Sequence, residues 1–180
     1  KLQRAPIFFA VWFAKSKAAN EVNMNSQSDT MIKEVDVLVL GGGISGCTAG
    51  LALLKREDLR VTIVERGDYT EHRYGESLSA TVRSTLEYLG VWDKFCATQR
   101  QEAFYSQVSW GSDEARRLGY MFTESGTGWA LNRLAFETML AESFLERGGK
   151  LLTKNQVVTC EARPQGGWRV LVKDENGDTY

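Results

Sequence analysis

"LVLGGGISGCTAG", residues 38–50, packs five glycines between an apolar run and a helical pattern. Glycine that dense strips side chains from a turn and lets another group approach the backbone. Ahead of it, Val35, Val37, Leu38, Val39 and Leu40 mark residues 33–40 as a buried strand rich in β-branched side chains. Behind it, Ile44, Cys47, Leu51 and Leu54 recur at three- and four-residue steps, which predicts a helix from 45 to about 55. "RVTIVE", residues 60–65, reads as a second strand. Strand, turn, helix and strand fill roughly 30 residues, the size of one βαβ unit. Its strands should be parallel and its crossover right-handed.

Gly41, Gly43 and Gly46 fit G-x-G-x-x-G. The first glycine allows the tight turn, the second admits a pyrophosphate, and the third lets helix and strand pack closely. Ile44 and Ser45 open the helix, whose first N–H groups and dipole favour negative charge. Gly50 extends the small-residue face towards the sheet. Glu65 ends the second strand about 20 residues beyond the last glycine, where a carboxylate accepts hydrogen bonds from a ribose hydroxyl pair. A 2′-phosphate beside Glu65 would be repelled, which argues against NADP. NAD and FAD both remain open on these residues, as does a glycine turn that merely joins core elements.

The rest of the chain alternates elements. A polar loop, "RGDYTEHRYGES", precedes a helix from about 79 to 89, stopped by Gly90, and a short one through Phe95. "FYSQVSW" (104–110) alternates like a half-buried strand, and "LGYMF" (118–122) can pair with it. "LNRLAFETMLAESFLERGG" (131–149) is the longest helix, with Leu134, Met139 or Leu140, and Phe144 or Leu145 as its stripe. "KLLT" (150–153) suits a third parallel strand. Two further strands meet at Gly166-Gly167, and Asn176-Gly177 opens another turn. A turn with almost no returning strand suggests an N-terminal fragment of a longer protein.

Hydrophobic residues make up 43% and charged residues 25%, and the net charge is −1. That gives no electrostatic footprint for nucleic acid or an anionic membrane. Cys47, Cys96 and Cys160 are scattered without a CxxC pair, which argues against a disulfide framework or a metal site and fits a reducing, cytoplasmic setting. "APIFFAVWFA" (5–14) is too short to span a bilayer. Residues 1–30 are expected to be a disordered or upstream segment. Residues 31–180 are expected to form one domain, incomplete at its C-terminus.

Four stretches in order carry a resemblance: "VLVLGGGISGCTAGLAL", "VTIVERG", "RYGESLSATVRSTLEYLGV" and "GWALNRLAFETML". Over residues 34–153 the chain resembles the N-terminal part of the FAD-dependent monooxygenase and flavin-dependent halogenase superfamily. The resemblance implies an α/β architecture: a Rossmann-like FAD-binding βαβ fold with inserted strands of a substrate domain, starting around 100–130. It implies FAD, with its adenosine at Glu65, Arg66 near the adenosine or phosphates, and Arg133 approaching the flavin nucleotide. Asn132 stands where the family often has aspartate. "RYGES" (73–77) matches the loop beside the flavin, which brings in Glu76 and Ser77; alternatively these residues, or Ser79, cap the next helix. His72, the one histidine, sits in a polar loop and is not assigned a role. No catalytic side chain is identified.

Flavin carries the reaction while the protein binds, orients and excludes water. The resemblance implies oxygen as co-substrate. Tryptophan halogenases of this superfamily use a lysine in a strand that corresponds to "AFYSQVSWG" (103–111), which has none. "FYSQVSWGSDE" with "GTGWALNR" is most similar to the flavoproteins that mature quinone-cofactor amino-acid oxidases, thought to hydroxylate a tryptophan of a partner protein. The expected function is an FAD-dependent oxidoreductase of monooxygenase type. Its substrate would be a small aromatic molecule or a partner protein carrying a tryptophan. Alternatives are a halogenase or reductase of the same fold, an NAD-linked dehydrogenase, or a non-catalytic FAD-binding protein. The family's second FAD motif is expected beyond residue 180, so these residues alone are expected to be inactive.

Overall fold

The computed structural model describes residues 11–13, 34–75, 77–111, 114–120 and 126–180. The chain divides into two compact units, residues 1–68 with 144–180, and residues 69–143.

The first unit is built on a four-stranded sheet in the order β1-β2-β3-β9. Strands β2 (Val37–Leu40) and β3 (Val61–Val64) run parallel, with Val37 opposite Val61 and Leu40 opposite Val64. Between them lies α1 (Ile44–Leu53). Every residue of β3 is buried, as a parallel strand covered on both faces requires. β9 (Lys150–Leu152) continues the parallel order, pairing Thr62 with Lys150. β1 (Val11–Phe13), within the stretch 5–14, pairs antiparallel with β2 at the sheet's edge.

Helix α1 buries Cys47, Gly50 and Leu51, while Ile44 and Leu54 are half-buried. Gly50 is required by packing: a Cβ there would lie 2.8 Å from Phe144 Cε2 and 3.1 Å from Ile63 Cδ1. β10 (Gln156–Ala162) and β11 (Trp168–Lys173) form an antiparallel pair with a bulge between Val157 and Thr159. After the turn at Gly177 (φ +94°) the chain returns, and Tyr180 and Val172 exchange backbone hydrogen bonds.

The second unit holds α2 (Val82–Leu89), α3 (Trp92–Ala97) and the start of α4 (Arg133–Glu146). Gly90 ends α2 in the left-handed conformation (φ +66°), as expected of a glycine after a helix. A three-stranded antiparallel sheet in the order β4-β8-β5 was not foreseen: β4 (Ser77–Leu78), β8 (Gly128–Leu131) and β5 (Arg100–Ala103). Phe95 lies edge-on to Trp129 and to Phe136 at centroid distances of 5.6 and 5.5 Å, the centre of this unit's core. β6 (Tyr105–Val108) pairs with β7 (Arg116–Gly119), Tyr105 opposite Gly119; of the expected partner 118–122 only residues 118 and 119 take part, and residues 121–122 lie outside the described residues.

Along α4 the buried apolar residues are Phe136, Met139, Leu140, Ala141 and Phe144. Leu145 is exposed, so of the two expected pairings the stripe uses Phe144.

Candidate functional site

Where β2 ends, Gly41 takes φ +97° and donates its N–H to Val64 O at 2.8 Å. An ideal Cβ at Gly41 meets nothing within 4 Å, so it is the backbone conformation that asks for glycine. Gly42 is buried, and its carbonyl accepts the Cys47 thiol at 3.0 Å. Gly43 is the N-cap of α1 in extended backbone (φ −71°, ψ −171°), and no side chain caps the helix. The N–H groups of Ile44, Ser45 and Gly46 lie in the first turn, beyond reach of any carbonyl of their own helix. At Gly46 a Cβ would fall 1.8 Å from Gly41 O and 3.4 Å from Val39 Cγ1. This is the close helix–strand contact expected of the third glycine.

Glu65 follows β3 and is 5% exposed. Its Oε2 accepts the Gly42 N–H at 2.6 Å and its Oε1 accepts the Gly67 N–H at 2.8 Å. Its backbone is also held: its N–H donates to Leu152 O at 2.8 Å, and its carbonyl accepts from Asn155 N at 3.0 Å. One carboxylate therefore fixes the glycine turn to the loop leaving the second strand. Arg66 beside it is exposed. A glycine turn, a helix start without a side-chain cap and an acid at the end of the neighbouring strand form a donor and acceptor set that fits a dinucleotide.

In the second unit, Asn132 caps α4 by accepting the Ala135 N–H at 3.1 Å, so the departure from aspartate keeps the cap. Arg133 Nε donates to Glu137 Oε1 at 3.0 Å, and its Nη1 donates to the Tyr74 carbonyl. Gly75 (φ +104°) lies against that guanidinium: a Cβ on it would be 2.5 Å from Arg133 Nη1. The "RYGES" loop and the helix arginine thus meet.

Glu76 lies outside the described residues. Ser77 belongs to β4 opposite Ala130, so it is no helix cap. Ser79 is not one either; its Oγ is 2.7 Å from Thr81 Oγ1, and α2 starts without a side-chain cap. A strand pairing with a segment distant in sequence won over the local capping preference. His72 is exposed, edge-on to Tyr74 at 5.4 Å.

The residue missed at the level of sequence is Glu137, which is fully buried. Besides Arg133, Arg73 Nη1 lies 3.0 Å from its Oε2, an ion pair without hydrogen-bond geometry. The four-residue spacing of Arg133 and Glu137 was visible, but nothing marked that helix face as internal. Among the described residues there is no group of acids, histidines and cysteines able to hold a metal, and no helix long and apolar enough to cross a membrane.

A family model described as "FAD binding domain" matches residues 34–180. LodB of Marinomonas mediterranea, named as an FAD-dependent oxidoreductase, is 32% identical over 150 residues, covering 82% of this chain and 40% of LodB. A tryptophan 2-halogenase of Chondromyces crocatus is 29% identical over 119 residues, 64% of this chain and 22% of the halogenase. In fold the chain is similar to a flavoprotein/dehydrogenase of Cytophaga hutchinsonii (TM-score 0.71, 24% identity, 82% of this chain and 36% of that one). It is also similar to the flavin-dependent monooxygenase PieE, solved with FAD and substrate (TM-score 0.61, 22% identity, 79% and 28%). The chain therefore spans less than half the length of the relatives it matches.

Proposed function

Because this chain belongs to the FAD-binding domain family, we propose that the whole protein is an FAD-dependent monooxygenase that hydroxylates an aromatic group. The cofactor is FAD, and the chain is part of the FAD-dependent oxidoreductase, monooxygenase and halogenase group. When bound, the flavin supplies the electrons that activate oxygen.

The chain's own residues then bind and orient. Gly41, Gly43 and Gly46 leave room for the pyrophosphate, and the N–H groups of Ile44 and Ser45 face its charge. Glu65, already held by the Gly42 and Gly67 N–H groups, takes the adenosine ribose hydroxyls. Arg66 is placed near the adenosine or phosphates. Arg133 approaches the flavin nucleotide, and the loop with Glu76 and Ser77 flanks the flavin. The substrate is a small aromatic molecule or a tryptophan on a partner protein, and oxygen is the co-substrate.

The observation that favours hydroxylation is the β6–β7 pair. Its register sets Gln107 opposite Arg117 and Val108 opposite Arg116. No lysine stands on either strand to direct an oxidised halogen. Lys94 lies in α3 instead. Halogenation is the second reading, favoured by the identity to the tryptophan 2-halogenase.

The test uses full-length protein, reduced, then mixed with oxygen, excess bromide, and tryptophan or a tryptophan-containing peptide. Mass spectrometry should find one oxygen atom added and no halogen. A brominated product would establish the second reading. Substrate reduction without oxygen uptake would make the protein a reductase.

A further inference from the structure

We propose that the turn at Lys154 and Asn155 positions the acid that takes the adenosine ribose. Left-handed backbone at Lys154 turns two successive N–H groups to one side, and these hold the loop from which the Glu65 carboxylate is aimed. This rests on the placement of the ribose at Glu65 proposed above. Every residue involved belongs to the first unit.

Residues 65–67 leave β3 beside the end of β9. The two strands pair up to Val64 opposite Leu152, and the next bond of the ladder runs from Glu65 N–H to Leu152 O at 2.8 Å. Beyond it, Lys154 N–H donates to Gly67 O at 3.1 Å and Asn155 N–H donates to Glu65 O at 3.0 Å. In an extended strand successive N–H groups point to opposite edges, so a strand could supply only one of these bonds. Lys154 has φ +56°, a conformation uncommon outside glycine. There the peptide planes on either side of the residue face the same way, as in a nest of backbone amides, and both N–H groups reach the acid's loop.

Gly67 links this turn to the carboxylate. Its carbonyl accepts from Lys154, and its N–H donates to Glu65 Oε1 at 2.8 Å. The Glu65 carbonyl is held by Asn155 of the same turn. Both ends of the 65–67 loop are thus fixed, and with them the direction of a carboxylate on a residue that is 5% exposed. The turn is itself braced: Asn155 Nδ2 donates to Thr153 O at 2.6 Å, and Asn155 Oδ1 accepts the Tyr180 hydroxyl at 2.6 Å. The Lys154 side chain contributes less. Its Nζ lies 3.1 Å from Glu175 Oε2 and 3.9 Å from Asp68 Oδ2, but the side chain is 48% exposed, and ion pairs in water add little. The backbone conformation, not the ammonium, carries the role.

The test compares ADP with 2′-deoxyADP on the full-length apoprotein by calorimetric titration, with each variant's unfolding midpoint measured beside it. The two nucleotides differ in one ribose hydroxyl, so the ratio of their affinities reports the carboxylate and not the general state of the fold. The parent protein should prefer ADP by about tenfold, the scale of a hydrogen bond to a charged group. Lys154→Gly removes the ammonium but suits the left-handed backbone, and should keep that preference to within about twofold. Lys154→Val puts a β-branched residue at a positive φ, which it resists, and should cut the preference to about twofold or less. If Lys154→Val does not fold, Asn155→Ala, which takes the side-chain amide off Thr153 O, should at least halve the preference.

Glu65→Ala is the reference, since it should abolish the preference outright. A preference lost there but kept in Lys154→Val, or in Asn155→Ala where that stands in for it, would overturn the positioning role and leave the ribose placement standing. That holds equally if the turn variant lowers only the unfolding midpoint. A preference lost in Lys154→Gly would also overturn it, because the ammonium would then carry the effect. If the parent protein shows no preference, or Glu65→Ala leaves it intact, the ribose lies away from Glu65, and the placement falls together with the inference built on it.

Discussion

Replacing Gly46 by alanine tests the closeness of helix and strand on which the nucleotide turn depends. The added Cβ would sit 1.8 Å from the Gly41 carbonyl oxygen and 3.0 Å from its carbon. Ordinary contacts to a Cβ begin near 3.4 Å, so helix or turn must give by well over an ångström. The obstructing atoms are backbone and cannot swing aside as a side-chain tip does. The turn is also tied down, by Gly41 N–H on Val64 O and Gly42 N–H on Glu65. A cost of about 3 kcal/mol follows, the upper end for overpacking, which is roughly a 100-fold drop in the folding equilibrium. Gly43→Ala is the control. Its backbone (φ −71°, ψ −171°) is open to any residue, and the weaker N-cap should cost under about 1 kcal/mol. Urea unfolding of the full-length apoprotein would measure both, free of the stabilisation that bound FAD adds. Equal midpoints for the two variants would refute the steric reasoning.

Two further outcomes follow from the same turn. Gly43→Val should abolish FAD retention with the fold largely kept, since the branch fills the space given to the pyrophosphate; purified protein with an unchanged flavin-to-protein absorbance ratio would contradict this. Glu65→Ala should weaken FAD binding by about 1.5–3 kcal/mol, from lost hydrogen bonds to a charged group. It should also destabilise the apoprotein by about 1–3 kcal/mol, because the buried Gly42 N–H loses its acceptor. Calorimetry and thermal unfolding would read the two effects separately, and an unchanged dissociation constant would place the adenosine elsewhere.

The parallel core was legible because each of its elements carries a local signal. Val37 to Leu40 is an apolar run, Val61 to Val64 is wholly β-branched, and the glycines between them mark the turn into a helix. Gly46 and Gly50 were readable for the same reason: each leaves a gap that a backbone or a ring fills. The β4-β8-β5 sheet was not legible. Its strands have two to four residues, too few for a period, and "RQEA" in β5 carries three polar residues out of four. "GWAL" in β8 runs straight into the α4 pattern, so its end passed for helix. Ser77 and Ser79 looked like caps because capping is a local preference, whereas the pairing of Ser77 with Ala130 is set by a distant segment. Glu137 was hidden by its own chemistry. An acid four residues after an arginine usually marks a solvated helix face, and only Phe136, Met139 and Leu140 around it, all buried, reveal the interior.

The placement of the cofactor is tested most directly by a crystal structure of the full-length protein with FAD. The ribose hydroxyls of the adenosine should lie within hydrogen-bond distance of the Glu65 carboxylate, with the pyrophosphate over the N–H groups that open α1. An adenosine bound away from Glu65, or a pyrophosphate away from Gly41 to Gly46, would contradict the site described above.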